Sequence, residues 1–204
     1  MKINNEQSII EYLNHTRKSK KKNCPPSAEE IEILISYLKT NGLDPIIVGA
    51  LAVVSYLQLS SKHIVGDPFR QTEDIDIFVT KLLPSPPSEW RRDMQSIGVT
   101  SWISPTGGHV DFLIAGHRFP DSNEVPKNIE KDKNSTNSNW PIADLTSLFL
   151  LKLNSFRDKD LFDLVVLANK VGIPHQLKNK ALNETQRNNL ETVQLYLDHK
   201  DLLK

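Results

Sequence analysis

The stretch RQTEDIDIFV, residues 70–79, sets two acidic side chains into an otherwise apolar run. The alternation predicts a β-strand over 74–79, with Asp74 and Asp76 on one face and Ile75 and Ile77 on the other. The isoleucines suit a hydrophobic core. The two carboxylates would lie about 7 Å apart, which disfavours folding unless a cation sits between them. Carboxylate oxygens in such a pair are typical ligands of Mg²⁺.

A second acidic strand is predicted at HVDFLI, residues 109–114, where Asp111 alternates with Val110 and Phe112. The residues Pro-Thr-Gly-Gly at 105–108 favour a hairpin turn from a preceding strand over 99–104. If the 109–114 strand pairs beside 74–79, the three carboxylates cluster on one surface. Such a cluster binds divalent metal, and one of its carboxylates can deprotonate an attacking hydroxyl.

Helical patterns flank this strand-rich centre on both sides. Helices are predicted over 6–16, 27–42, 49–57, 88–97, 144–156, 160–170 and 184–199, a short strand at 45–48, and polar loops at 60–72 and 116–140. Ser27 is the expected N-cap of the second helix, with Glu30 at N3. The predicted fold is α+β, a small mixed β-sheet flanked by N- and C-terminal helices. It divides into 1–43, 44–143 and 144–204, the last expected to pack as one unit with the sheet.

Composition narrows the class of protein. The 204 residues carry a formal net charge of zero, so nucleic-acid binding would depend on local patches such as Lys18–Lys22. The single cysteine, Cys24, excludes an internal disulfide framework and a cysteine-rich zinc site. No apolar run approaches the length of a membrane helix, and the polar N-terminus is unlike a signal peptide. We expect a cytoplasmic protein without membrane segments.

Two further segments suit phosphate binding. Gly49 and Ala50 stand where the 45–48 strand runs into a helix, and backbone amides at such a helix start bind phosphate oxygens. Lys152, Arg157 and Lys159 supply cations that could orient a triphosphate. Lys152 is equally compatible with a core helix that buries its aliphatic stem.

Helix-surface ion pairs are the alternative for the C-terminal charges. Arg157 and Asp160 have the spacing of such a pair, and so do Lys159 and Asp163. Arg70 is placed to reach a phosphate, although it would serve equally as a loop residue.

In their order along the chain, these pieces resemble the DNA polymerase β-like nucleotidyltransferase superfamily, and within it the AbiEii-type branch of toxin–antitoxin and phage-defence systems. The resemblance covers residues 44–168. It implies that Asp74 and Asp76 bind two Mg²⁺, which Mn²⁺ could replace, and that Asp111 completes one metal site. It further implies nucleotide binding by a set of five residues: Gly49, Ala50, Arg70, Lys152 and Lys159. Two departures are Ala50, where the superfamily has Gly or Ser, and a long spacing from Gly49 to Asp74.

The expected activity is transfer of a nucleoside monophosphate from an NTP to an acceptor hydroxyl, with release of pyrophosphate. The resemblance suggests RNA, such as a tRNA 3′ end, as acceptor, and an antitoxin protein as partner. A small-molecule acceptor, as in antibiotic nucleotidyltransferases, is the nearest alternative. A non-catalytic module that binds a nucleotide or a partner is another, supported by Ala50. A metal-dependent nuclease is the third alternative function.

Overall fold

The computed structural model describes residues 5–19, 24–58, 72–94, 100–117, 124–135 and 139–199. Its α-helices are α1 (Asn5–Ser19), α2 (Ala28–Thr40), α3 (Gly49–Leu57), α4 (Leu145–Ser155), α5 (Asp158–Val171) and α6 (Glu184–Asp198), with a 3₁₀ helix at His175–Asn179. Its strands are β1 (Ile46–Ile47), β2 (Asp74–Val79), β3 (Arg91–Arg92), β4 (Thr100–Ile103) and β5 (His109–Ile114). No helix in these ranges has both the length and the apolarity that crossing a bilayer requires.

These strands form one mixed sheet in the order β1-β2-β5-β4-β3. The central strands β2 and β5 are parallel, and every other neighbouring pair is antiparallel. The strand over 109–114 therefore lies beside 74–79, as predicted, and the hairpin of β4 and β5 is confirmed. Val99, the predicted start of β4, lies outside the described residues. The helices flank the sheet, which confirms the α+β class.

The two faces of the central strands pack against different layers. Ile75, Ile77 and Val110 belong to the main core. That core also takes buried side chains from all six helices, among them Ile9, Leu34, Leu51, Phe149, Leu164 and Val193. On the opposite face, Phe78 and Leu113 pack in a smaller cluster. Since side chains alternate along a strand, the acidic residues share this second face, at the end that the small cluster does not cover.

Part of the segment 116–140 packs on the second face, so the prediction of a flexible surface loop overlooked side chains that are buried within the described residues. Val125 and Ile129 are buried in the small cluster, and Lys131 forms a β-bridge with Ala143. Tyr56 Oη lies 2.9 Å from both Asp132 Oδ2 and the Ala143 carbonyl oxygen. The segment is rich in polar residues, and this composition gave no sign that two of its apolar side chains pack against the sheet.

The predicted helix over 88–97 is also wrong for residues 88–94. The Trp90 N–H donates to the Pro87 carbonyl oxygen in a turn, and Arg91 and Arg92 then pair with β4 as a short edge strand. Trp90 and Met94 are four residues apart, as on one face of a helix. Trp90 is buried whereas Met94 is 88% exposed, so the two side chains do not share a buried face. Pairing with β4 satisfies backbone groups that a helix would otherwise satisfy internally.

The start of α2 clamps the β4–β5 hairpin. Ser27 and Glu30 form the predicted capping box, and Glu30 Oε1 also accepts the Thr106 N–H at 2.9 Å. Burial raises the pKa of Glu30, but hydrogen bonds from Ser27 and Thr106 outweigh it and leave the pKa below its usual value. A Cβ on Gly108 would lie 2.2 Å from the Pro26 nitrogen, so only glycine permits this close approach.

Candidate active site

The pairing of β2 with β5 brings the three predicted carboxylates onto one face. Asp76 stands directly opposite Asp111 in the parallel ladder, and Asp74 stands opposite His109. All three aspartates are partly buried, at the end of the face that the small apolar cluster leaves open. Asp74, Asp76 and Asp111 therefore form one acidic site, here called the acidic face.

Hydroxyl groups fix two of these carboxylates. Ser101, on β4 opposite Asp111, donates from Oγ to Asp111 Oδ1 at 2.5 Å. Thr72 Oγ1 lies 2.9 Å from Asp74 Oδ1, and equally close to the Asp74 carbonyl oxygen. Each carboxylate thus has a neighbour on its own or an adjacent segment that restricts its rotation.

Gly49 lies in contact with the third carboxylate. Its φ is +63°, and a Cβ at this position would lie 1.8 Å from Asp76 Oδ2. The preceding Val48 N–H donates to the Asp76 carbonyl oxygen at 3.0 Å. Helix α3 begins at Gly49 without a side-chain cap, and Ala50 is buried behind it. The first amides of α3 therefore stand beside the acidic face.

Within the described residues, the negative charge of the acidic face is only partly offset by neighbouring cations. Burial and then the charges of Asp74 and Asp111 raise the pKa of Asp76 to about 7, while Lys152 and Lys159 act in the opposite direction. Burial is also the main cause that raises the pKa of Asp111, against the hydrogen bond from Ser101. Carboxylates this close together repel when both are ionised, so a bound cation would relieve the repulsion.

Lys152 belongs to a buried ion network on α4 and α5. Its side chain is 4% exposed, and its Nζ lies 2.5 Å from Asp163 Oδ2 and 3.3 Å from Asp160 Oδ1. Arg157 Nε and Ser155 Oγ donate to Asp160 Oδ2 at 2.8 and 2.9 Å. Burial raises the pKa of Asp160, but Lys152 and Arg157 outweigh it and hold the pKa at about 2.

This network corrects the helix-surface interpretation of the C-terminal charges. Arg157 and Asp160 do pair, as their spacing suggested, but Asp160 and Asp163 are both buried. Asp163 takes Lys152 from the neighbouring helix, whereas Lys159 is exposed and acts electrostatically on the acidic face. Direct contact between Lys152 and a nucleotide would require its ammonium to leave two carboxylates. Arg70 lies outside the described residues.

Two neighbours of the acidic face were missed as site residues, His109 and Ser101. His109 lies two positions before Asp111 and so shares its face; its Nδ1 is 3.5 Å from Asp93 Oδ2. The strand alternation that selected Asp111 would have selected His109 as well. Ser101 could not be found in this way, because its position depends on the register between β4 and β5.

The acidic face suits a metal that binds together with a substrate. Among the residues described, no three His, Cys, Asp or Glu side chains are arranged as a complete metal-binding group. Mg²⁺ seldom needs one, because it usually binds to one or two carboxylates and takes further oxygens from water and substrate phosphates. The facing pair Asp76 and Asp111 and the raised pKa of Asp76 fit that mode.

A solved structure has a fold similar to that of this chain. The chain is similar to an antigenic nucleotidyltransferase-like protein from Paracoccidioides brasiliensis, with a TM-score of 0.51 over 87% of this chain and 92% of the other. This chain has a nucleotidyltransferase-like fold. The two sequences are 19% identical. No family model matches the sequence, and neither does any curated protein.

The nucleotidyltransferase-like fold accounts for the placement of the acidic face. It brings together residues from β2, β5 and the start of α3, with α4 and α5 alongside. The AbiEii-type resemblance rests on the sequence motifs alone.

Proposed function

We propose that this protein is a Mg²⁺-dependent nucleotidyltransferase that moves a nucleoside monophosphate from an NTP to an acceptor hydroxyl and releases pyrophosphate. The observation that carries the proposal is the acidic face. Three carboxylates meet on one surface, beside a glycine that touches one of them. This arrangement costs stability in the free protein and suits a reaction in which phosphate oxygens and cations arrive together.

The carboxylates would hold the metal. Asp74 and Asp76 would bind two ions, and Asp111 would complete one of the two ligand sets. When bound, Mg²⁺ neutralises the acidic face, braces the triphosphate and lowers the pKa of the acceptor hydroxyl. Ser101 and Thr72 keep Asp111 and Asp74 oriented.

The start of α3 and the exposed cation would bind the triphosphate. The absence of a side chain at Gly49 leaves the space beside Asp76 open, so that the α3 amides can approach phosphate oxygens. Ala50 contributes its amide but no hydroxyl. Lys159 is exposed and close enough to act on Asp76 and Asp111, so it is suited to contact the departing pyrophosphate. Arg70 would add a second phosphate contact.

Lys152 would act from behind the site. Its charge lowers the pKa of Asp76, although its ammonium is bound by Asp160 and Asp163. We therefore place it as a residue that helps to keep Asp76 ionised.

For the acceptor we propose an RNA hydroxyl, such as a tRNA 3′ end in the cytoplasm. The support is the AbiEii-type motif order and the basic run Lys18–Lys22, which offers charge for RNA phosphates. The same motif order supports a toxin or phage-defence role with an antitoxin partner. A small-molecule hydroxyl is the competing acceptor, and a non-catalytic nucleotide-binding module, favoured by Ala50, is the competing function.

The test is incubation of the protein with each α-³²P-labelled NTP, Mg²⁺ and total cellular RNA, with protein and aminoglycoside acceptors in parallel. We expect label on RNA from the unaltered chain and at least about a hundredfold less from Asp76→Ala. Asp76→Ala should remain folded, because it relieves repulsion. Asp198→Asn, which removes an exposed charge at the end of α6, is the matched control and should transfer normally.

Three other outcomes would redirect the proposal. Label on an aminoglycoside would assign a small-molecule acceptor. Saturable Mg²⁺-dependent NTP binding without transfer to any acceptor would assign a binding module. Equal transfer by Asp76→Ala would remove the acidic face from the reaction.

A further inference from the structure

Helix α1 reaches the acidic face through a buried tyrosine. Tyr12 is 1% exposed, and its phenol oxygen accepts the Thr72 N–H at 2.8 Å. The β2–β5 ladder begins two residues later in the chain, with Asp74 opposite His109. The Thr72 N–H therefore lies before the described start of the ladder, and Tyr12 supplies the acceptor that a buried amide requires.

Thr72 continues this path to a carboxylate. It is 2% exposed, and its Oγ1 lies 2.9 Å from Asp74 Oδ1. The single hydroxyl proton can be donated to Oδ1 or to the Asp74 carbonyl oxygen, which is at the same distance. With its backbone held by Tyr12, the Thr72 hydroxyl remains next to Asp74 in either case.

We propose that Tyr12 and Thr72 are positioning residues of the acidic face, and that α1 is thereby part of the metal-binding site. The inference rests on the proposed function and assigns one of its ligands, Asp74, a support from a distant segment of the chain. Removing this support frees Asp74 to rotate away from Asp76 and Asp111. Partners of a metal ligand typically contribute about 10–100-fold to metal affinity or activity.

The experiment measures Mn²⁺ binding through water-proton relaxation and, separately, the Mg²⁺ dependence of transfer. Thr72→Val keeps the branched shape and removes the hydroxyl; Thr72→Ser keeps the hydroxyl. Tyr12→Phe removes only the phenol oxygen. Tyr37→Phe is the matched control, since Tyr37 Oη donates to the Ser85 carbonyl oxygen away from the acidic face.

We expect Thr72→Val to weaken Mn²⁺ binding about tenfold or more and to raise the Mg²⁺ requirement in parallel. Thr72→Ser should bind like the unaltered chain, and Tyr12→Phe should show a smaller loss of the same kind. The double variant should lose less than the two single losses combined, because both act along one path. Tyr37→Phe should change neither measurement.

Unchanged Mn²⁺ binding in a folded Thr72→Val variant would overturn the inference and leave the proposed function intact. Equal losses in Thr72→Val and Thr72→Ser, or thermal unfolding of Tyr12→Phe at assay temperature, would reduce the pair to a structural role. An unaltered chain that neither binds Mn²⁺ nor transfers would remove the proposed function first, and the inference with it.

Discussion

Two clusters of carboxylates act on each other electrostatically in this protein, and the pKa of Asp76 in one is shifted in the opposite direction from the pKa of Asp160 in the other. In the ion network of α4 and α5, Lys152 and Arg157 hold the pKa of Asp160 at about 2. On the acidic face, burial and the neighbouring carboxylates raise the pKa of Asp76 to about 7. Both clusters are built from aspartates on regular elements, so the difference lies in the cations that the chain supplies.

The comparison separates carboxylates that the chain neutralises with its own cations from carboxylates that it neutralises only in part. A cluster that serves the fold brings its own counter-charges, because a buried carboxylate without a partner is costly. A cluster left with excess negative charge lowers the stability of the fold, and a bound cation offsets that loss. The acidic face is of the second kind, with Lys159 exposed at its margin rather than bound within it.

The largest expected effect is on the ion network. Lys152→Met should lower the free energy of unfolding by about 3–5 kcal/mol, because Asp160 and Asp163 would remain buried without their shared cation. Urea unfolding at pH 7 measures this change in the free energy of unfolding.

Lys159→Met is the matched control for that experiment, because it removes an exposed ammonium from the same part of the chain. Its free energy of unfolding should change by less than about 0.5 kcal/mol. Its transfer activity should fall, since the charge of Lys159 acts on Asp76 and Asp111. Equal losses of stability in the two variants would contradict the structural role that we assign to Lys152 alone.

A smaller effect on stability, with a large one on activity, is expected at the acidic face. In Gly49→Ala the new Cβ would collide with Asp76 Oδ2, and the positive φ would cost about 1–2 kcal/mol. We expect transfer to fall at least about a hundredfold, because the carboxylate must move. Parallel transfer assays and thermal melts separate the two effects.

Gly172→Ala provides the control for backbone strain. Gly172 also has a positive φ, at +82°, but no atom lies within 4 Å of the position its Cβ would take. It should lose comparable stability and retain transfer. If Gly49→Ala also retains transfer, the contact with Asp76 has no functional weight.

The remaining expected effect is a slope of stability with pH. Between about pH 4 and 7 the folded chain keeps the Asp76 proton that the unfolded chain has released, so without metal this contribution to stability is lost as pH rises. Asp160 acts in the opposite sense, and its contribution is lost as pH falls from about 4 to 2. Urea unfolding of the unaltered chain and of Asp76→Asn, at pH 4.5 to 8, should show a shallower decline in the variant.

Repeating the urea unfolding with excess Mg²⁺ tests whether the metal binds at the acidic face. It should stabilise the unaltered chain more at pH 8 than at pH 5, because metal ligands must be deprotonated. A Mg²⁺ effect that is equal at both pH values, or equal in Asp76→Asn, would argue against binding at the acidic face.

The sequence predicted which side of each strand carries its aspartates, because that information is local, and the pairing of the two strands was a condition of the prediction. Alternation within 74–79 and 109–114 determines which side chains share a face, and the pairing of the two strands completes the cluster. Capping at Ser27 and Glu30 was predictable for the same reason, since its hydrogen bonds join residues three apart.

What escaped prediction depends on pairings between distant segments. The edge strand at Arg91 and Arg92 exists only because β4 lies beside it, so its own spacing suggested a helix. Asp163 has a plausible partner four residues away, yet its position inside the helix pair brings it to Lys152. The link from Tyr12 to Thr72 has no sequence pattern at all.

Because β2 pairs with β5, which comes later in the chain, the acidic face is completed only after β5 has been synthesised. Strands β3 and β4 lie between them in the chain, and a ribosome adds roughly 5–20 residues per second. Asp74 and Asp76 are thus synthesised seconds before Asp111, and Lys152 and Lys159 follow later still. A nascent chain that ends before Asp111 holds two of the three carboxylates of its acidic face, so under the proposed function transfer must wait until synthesis has passed α5. If the proposed function holds, incomplete chains are inactive because they lack a metal ligand.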